Sequence, residues 1–389
     1  MSPRLRAPSE LFERLRNEGY AVELKQGFLL LHDVPYVNAE RAVLRGTLVS
    51  DLNERGNPAR PATHVIHFVG QMPCNAKGQP IEAIRHVNNP QSLLPGLRVD
   101  RSFSNKPQNG YATHYDKFVS YVKVLSHPAT AIDPTATALT ERVFAEEAED
   151  TVFRYVDMNA SRGGTTLLGE RFKSLRIGVI GVGGTGSYLT DLLAKTPVAE
   201  LHLYDDDYFR AHNAFRSPGA ASLEEVNASE LKVDRWAATY GNMHARVIAH
   251  PVKITSKNVS LLDGLDFVFI AIDEGKPKTI IFEHLLRQGV PFIDVGLGVL
   301  MTENGEQLFG SLRVTMATPE RNDHLAGTVS RAAAEDDLYT TNIQIAELNA
   351  LNATLAVIRW KQYLGFYQRT DNHLHTVFNL NSNSLVHDF

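Results

Sequence analysis

The chain has 389 residues, 43% of them hydrophobic and 21% charged, which is enough apolar material for two cores. A formal net charge of −5 with no dense Lys/Arg tract argues against nucleic acid or an anionic membrane surface as the main partner. The single cysteine, Cys74, excludes an intrachain disulfide framework and a paired C-x-x-C zinc site, and fits a reducing cytoplasm. Met1 to Arg6 hold no apolar signal core, and no run reaches membrane-spanning length, so the expected location is cytoplasmic.

Residues 8–18 read as an amphipathic helix, with Leu11, Phe12 and Leu15 at helical spacing behind Pro8-Ser9. Strands are expected at 20–24, 27–31, 41–50 and 63–69, and residues 86–110, rich in Asn, Pro, Ser and Gly, as an irregular excursion. Phe118 to Leu125 reads as another strand, Thr140 to about Met158 as a helix, and 159–164 as a flexible approach to a second domain. Residues 1–150 thus form an expected α+β domain without a catalytic motif. His64, His67, Cys74, His86 and His114 offer metal-ligand chemistry, but strand positions three apart face opposite sides, so His64 and His67 cannot grip one ion without a bulge.

From Leu175 the pattern alternates between strand and helix, as in a largely parallel sheet covered on both faces. The strand Arg176 to Ile180 runs into Gly181-Val182-Gly183-Gly184-Thr185-Gly186-Ser187, and a second strand ends in Asp205-Asp206-Asp207, with Asn213 and Arg216 beyond it. Glycines there let the backbone turn and bring its N–H groups against phosphate at a helix start. Gly181, Gly183 and Gly186 also satisfy the dinucleotide fingerprint, but Asn213 and Arg216 suit a site that holds a triphosphate while pyrophosphate leaves. A hairpin is expected from 296–302 and 308–316, then a polar segment over 317–341, a helix over 342–364 and a last strand near 374–380.

With Lys232 before a helix and Asp273 ending the apolar strand Phe267 to Ile272, this segment resembles the ThiF/MoeB superfamily of adenylating enzymes. The resemblance implies an α/β, Rossmann-like adenylation domain over 160–389, with a mostly parallel sheet and an antiparallel extension. It further implies that ATP lies on Gly181, Gly183, Gly184, Gly186 and Ser187, with Asp205 at the ribose and Asp207 near the metal or the next loop. Asn213, Arg216 and Lys232 would contact the phosphates, and Asp273 would hold magnesium. Lys278 either matches a basic family position or is plain surface. Arg162, upstream of the glycine turn, stands where relatives send an arginine to the partner subunit, which implies a homodimer.

Relatives that activate ubiquitin pass the acyl group to a cysteine near the crossover loop, and this chain has none there. Either adenylation is the whole reaction, or a hydroxyl takes the acyl group, with Ser330 and Thr328 as the candidates and His324 as base or orienter. The layout looks like the bacterial antiphage branch that travels with a ubiquitin-like protein and a conjugating enzyme. The expected function is ATP- and magnesium-dependent adenylation of a ubiquitin-like protein's C-terminal carboxylate and handover to the conjugating enzyme, with residues 1–150 recruiting partners. An NAD-dependent oxidoreductase and a catalytically silent scaffold are the alternatives.

Overall fold

The computed structural model describes residues 6–52, 60–145, 151–273, 275–329 and 343–388. They divide into two compact units, one of residues 1–146 with 155–164, the other of 147–154 with 165–389.

The first unit opens with α1 (Arg6–Asn17), followed by β1 (Val22–Lys25), β2 (Phe28–Val37), β3 (Val43–Asp51) and β4 (Val65–Val69). The expected irregular excursion is instead β5 (Arg85–Val87), the hairpin β6 (Gln91–Leu94) with β7 (Leu97–Val99), and β8 (Arg101–Ser104). These strands are three or four residues long, too short for an alternating pattern to stand out among Asn and Pro. The antiparallel sheet runs β1-β2-β3-β4-β8-β5.

Phe118 to Leu125 is not a strand but lies in α2 (His114–Ile132). Its buried residues Phe118, Tyr121, Val122 and Leu125 fall at helical spacing, and the start is fixed by a capping box. Thr113 Oγ1 accepts from Asp116 N–H at 3.1 Å while the Asp116 carboxylate accepts from Thr113 N–H at 3.0 Å. The helix expected from Thr140 to Met158 is also absent among the described residues, where only α3 (Met158–Arg162) is helical. Asn17 of α1 donates to Ser161 Oγ at 3.0 Å and ties α3 to this unit.

Leu48, Ile66, Phe68, Phe103, Phe118 and Tyr121 form the core between sheet and α2. Two ionisable groups lie in the same interior. Lys117 is fully buried, with Nζ donating to Ser50 Oγ at 2.8 Å, and both ring nitrogens of the buried His114 lack a hydrogen-bond partner. His64 and His67 go separate ways, to Ser104 at 3.0 Å and Gln91 at 3.0 Å.

The second unit contains α4 (Thr166–Gly169), β9 (Arg176–Ile180), α5 (Gly184–Ala194), β10 (Glu200–Tyr204), α6 (Ala211–Ala214), α7 (Leu223–Asn227), α8 (Lys232–Gly241), β11 (Val247–His250) and β12 (Phe267–Ile270). Next come α9 (Gly275–Gln288), β13 (Phe292–Met301), β14 (Leu308–Ala317), α10 (Leu325–Thr328), α11 (Ala346–Tyr363), β15 (His375–Asn379) and β16 (Ser384–Asp388). One eight-stranded sheet runs β11-β10-β9-β12-β13-β14-β15-β16. Its first five strands are parallel and β13 to β16 pair antiparallel. The fold class is therefore α/β, with a mostly parallel sheet and an antiparallel extension.

One face of this sheet packs on a core that includes Leu189, Trp236 and Trp360 from α5, α8 and α11, and the other on Ile281, Phe282 and Leu285 of α9. Helix α11 begins at Ala346, later than expected, because Ile345 is extended. Strand β16 was not anticipated, since it is an edge strand with exposed Leu385 and Val386 and carries no buried alternation. Among the described residues no helix is long and apolar enough to cross a membrane.

His114 gives the first unit a defined pH dependence. Burial, with a smaller push from Lys117, lowers its imidazole from 6.5 to about 4. Between those values the unfolded chain takes up a proton that the folded chain refuses, so stability falls as the pH drops through that window, by at most about 1.4 kcal/mol per pH unit. Urea melts of wild type and His114→Leu at pH 7, 5.5 and 4.5 should show the variant losing this slope.

A candidate nucleotide cleft

The site is assembled at the carboxyl ends of β9, β10, β12 and β13, where parallel sheets receive ligands. Gly181 leaves β9 with φ +83°, and a Cβ there would come within 2.6 Å of the Ala271 carbonyl oxygen. Gly186, in the first turn of α5, lies so close that any Cβ would collide with the carbonyl oxygen of Gly181. Gly183 is different, because nothing among the described residues stands within 4 Å of where its Cβ would be. Open space therefore lies over the amino end of an eleven-residue helix, where unpaired N–H groups favour an anion.

Asp205 braces the turn. Its carboxylate accepts from Val182 N–H at 2.9 Å and from Asp207 N–H at 2.9 Å. Lys232, the first residue of α8 and almost fully buried, places Nζ 2.7 Å from Asp207 and 3.6 Å from Asp205. This hydrogen bond and charge hold the Asp207 carboxyl below its ordinary range. Asp205, Asp206 and Asp207 bring ligand oxygens within 4.8 Å of one another, but Lys232 already supplies a cation there.

Two clefts adjoin at Gly181, Asp205, Asp207 and Ile272. One, of about 140 Å³, is lined by Ile180, Tyr204, Val252 and Ile254 together with Asp205, Asp206, Asp207 and Lys253, a mixture that suits a flat heterocycle with polar edges. The other, of about 240 Å³, has Gly183, Gly184, Arg216, Lys232 and Asp273 along it. Burial lowers the Arg216 guanidinium from its ordinary value, opposed by Asp273 and Asp207. Arg216 Nε, Asn213 Nδ2 and Gln344 Oε1 are buried without a hydrogen-bond partner. With the space at Gly183, the unmatched groups of Arg216 and Gln344 in this cleft fit a polyphosphate ligand, and Asp273, exposed on its rim, is a carboxylate that could hold a hard cation once phosphate takes over Arg216.

Other expected residues fall elsewhere or act differently. Ser187 is fully buried and its hydroxyl donates to the Gly184 carbonyl at 2.7 Å, so it shapes the turn instead of lining the cleft. Asn213 Oδ1 accepts from Arg210 N–H at 2.9 Å, which holds α6 in place. Lys278 is not surface, being buried and paired with Asp294 at 2.9 Å. Thr328 donates to the His324 carbonyl at 2.9 Å, and His324 Nε2 donates to the Met316 carbonyl at 2.8 Å. Arg162 belongs to the first unit, where it donates to the Asn17 carbonyl at 3.4 Å. Ser330 lies outside the described residues.

Sequence reasoning missed Thr185, whose hydroxyl donates to Asn349 of α11 at 2.8 Å, and Gln344 and Gly296 of the cleft. Thr185 sat inside the glycine motif and was readable in principle, whereas Gln344 and Gly296 reach the cleft only through the fold.

Residues 162–384 match the family model described as ThiF family, and residues 10–158 match one described as a domain of unknown function (DUF6791). The chain belongs to the ThiF family. It is similar to the tRNA threonylcarbamoyladenosine dehydratase of Escherichia coli (strain K12), with 29% identity over 141 residues, 34% of this chain and 52% of that protein. For the same enzyme of Haemophilus influenzae the identity is 26% over 150 residues, 38% of this chain and 58% of that protein. The chain thus spans about half the length of the curated relatives it matches. Among solved structures, E. coli MccB with ATP aligns at 13% identity and a TM-score of 0.47, over 59% of this chain and 69% of that one. PaaA aligns at 17% and 0.46, over 59% and 79%.

Gly186 offers a direct test of the turn. Gly186→Ala should cost about 1–3 kcal/mol through overpacking against Gly181. Chemical denaturation of the second unit's transition would read that loss, and an unchanged midpoint would contradict the contact.

Proposed function

We propose that this chain is an ATP- and magnesium-dependent adenylating enzyme, whose substrate is the C-terminal carboxylate of a ubiquitin-like protein that is then passed to a conjugating enzyme. The observation that carries the reading is the space that the described residues leave over Gly183 at the head of α5, in a cleft that Arg216 and Gln344, each with an unpartnered polar atom, also line. In this reading the nucleobase occupies the smaller cleft, against Ile180, Val252 and Ile254, and Asp205 meets the ribose. The α5 amides, Arg216, Asn213 and Lys232 hold the phosphates, and Lys232 turns from Asp207 toward them.

A carboxylate attacking phosphorus meets repulsion between anions, and Arg216 and Lys232 lower that barrier by positioning and charge. Magnesium, held by Asp273, would neutralise phosphate charge. Membership of the ThiF family supports an adenylating chemistry, and the lack of a cysteine other than Cys74 supports handover of the acyl group from the adenylate or through an oxyester on Ser330 or Thr328. Arg162 completing a partner subunit's site, a homodimer, a cytoplasmic location, a role in antiphage defence and partner recruitment by the first unit belong to the same proposal.

Pyrophosphate exchange into ATP, driven by a ubiquitin-like protein with a free C-terminus, tests the reading. Asp273→Ala should lower the exchange on the order of 100-fold, and full exchange in that variant contradicts the metal role. Intact mass after reaction tests the oxyester. A hydroxylamine-labile, thiol-resistant adduct should form in wild type and vanish in Ser330→Ala; an adduct that persists there moves the ester elsewhere.

A further inference from the structure

Behind Gly296 lies a charge cluster that the nucleotide site does not use. Asp294 of β13 is fully buried and lies at ion-pair distance from two cations, Lys278 Nζ at 2.9 Å and Arg313 Nη2 at 2.7 Å, with neither carboxylate oxygen in hydrogen-bond alignment, so the attraction is one of charge. Arg313 Nη1 also donates to Thr315 Oγ1 at 3.1 Å, and Thr315 Oγ1 lies 2.8 Å from His375 Nδ1. Burial, then the charge of Arg313, lowers the His375 imidazole and keeps it neutral near pH 7. Asp388, the acidic residue opposite His375 in register, is exposed to solvent. Two positive charges thus share one buried carboxylate.

The surplus charge is directed. Arg313 stands opposite Gly296 in the β13–β14 register, and a Cβ at Gly296 would come within 2.8 Å of Arg313 Nε. The guanidinium therefore lies along bare backbone, and Gly296 also lines the cleft that holds Gly183 and Asp273. Among the described residues nothing comes nearer than 3.9 Å to the would-be Cβ of Gly298, next on that face. An extended chain end has room there among the described residues, beside a cation that shares its one carboxylate with Lys278.

We propose that Arg313, oriented by Asp294 and Lys278, binds the terminal carboxylate of the substrate at the Gly296 rim. The proposal rests on the adenylating reading and names the residue that recognises the acyl group. One carboxylate oxygen attacks the α phosphorus, a P–O bond forms, and the bond to the bridging oxygen breaks with its electron pair leaving on pyrophosphate. The other oxygen becomes the acyl carbonyl and keeps its N–H contact with Arg313. A planar donor fork suits both states.

Calorimetric titration with ATP, 5′-O-sulfamoyladenosine and its N-acetylglycyl derivative tests this without knowing the carrier. In wild type the acyl group should gain about tenfold in affinity or more. Arg313→Gln should abolish that gain while leaving ATP affinity unchanged, whatever it costs in thermal midpoint by uncovering Asp294, Arg313→Lys should keep part of it, and Lys278→Met, which leaves Arg313 fully paired, should reduce it. A gain undiminished in Arg313→Gln, or absent in wild type that binds ATP, overturns the proposal alone. ATP affinity falling together with acyl affinity makes Arg313 structural and overturns it too. A wild-type chain that binds none of the three removes the adenylating reading as well.

Discussion

The first turn of α5 touches the end of β9 backbone to backbone, at a place where even a methyl group would not fit between Gly186 and the Gly181 carbonyl. That contact sets where the helix begins, and the surroundings lock it. Asp205 holds Val182 N–H, Trp236 Nε1 donates to the Val182 carbonyl at 3.1 Å, and Thr185 is tied to Asn349. The amides at the head of α5 are consequently aimed before any ligand arrives. Donors fixed in advance stabilise charge without the cost of reorganising at the moment of reaction.

Charge around the cleft obeys the same logic of prior arrangement. Lys232 is buried against Asp207 and Asp205, so its ammonium is already desolvated and needs only to exchange one set of oxygens for another. Arg216 is half-buried, with its charge opposed chiefly by exposed Asp273. A cation with its Nε unpartnered in a low-dielectric setting attracts an anion more strongly than one in water. The adenylating reading therefore explains polar groups that would otherwise be a standing cost to stability.

The second unit was legible in the sequence because its strands are continuous apolar runs and its glycines and aspartates fall at strand ends, where position alone implies direction. The first unit was less so. Phe118, Tyr121 and Val122 are β-formers by composition, and it is the spacing of three and four through Leu125, behind the Thr113–Asp116 capping box, that marks the helix. Strands β5 to β8 are too short for a period to register. In the site, motif residues were found but their present partners were not. Ser187 bonds back to Gly184 within its own turn, while Lys278 reaching Asp294 and Gly296 meeting Arg313 depend on how neighbouring elements pack and register, which residue type alone does not encode.

The fate of an activated acyl group is constrained by what the described residues lack. Cys74 is 1% exposed, its thiol points to the Met72 carbonyl at 3.4 Å, and burial raises its pKa, so no thiolate is available while the first unit is folded. Thr328 has its hydroxyl on a carbonyl, and His324 donates its Nε2 proton to another, so that nitrogen cannot accept a proton from a hydroxyl. Within the adenylating reading, the mixed anhydride therefore outlasts the chemistry that makes it until Thr328 gives up its carbonyl, or Ser330 or an outside nucleophile reaches the cleft. Such an intermediate survives only where water is kept from it, so closure over the cleft, more than bond making, would set the efficiency of the handover.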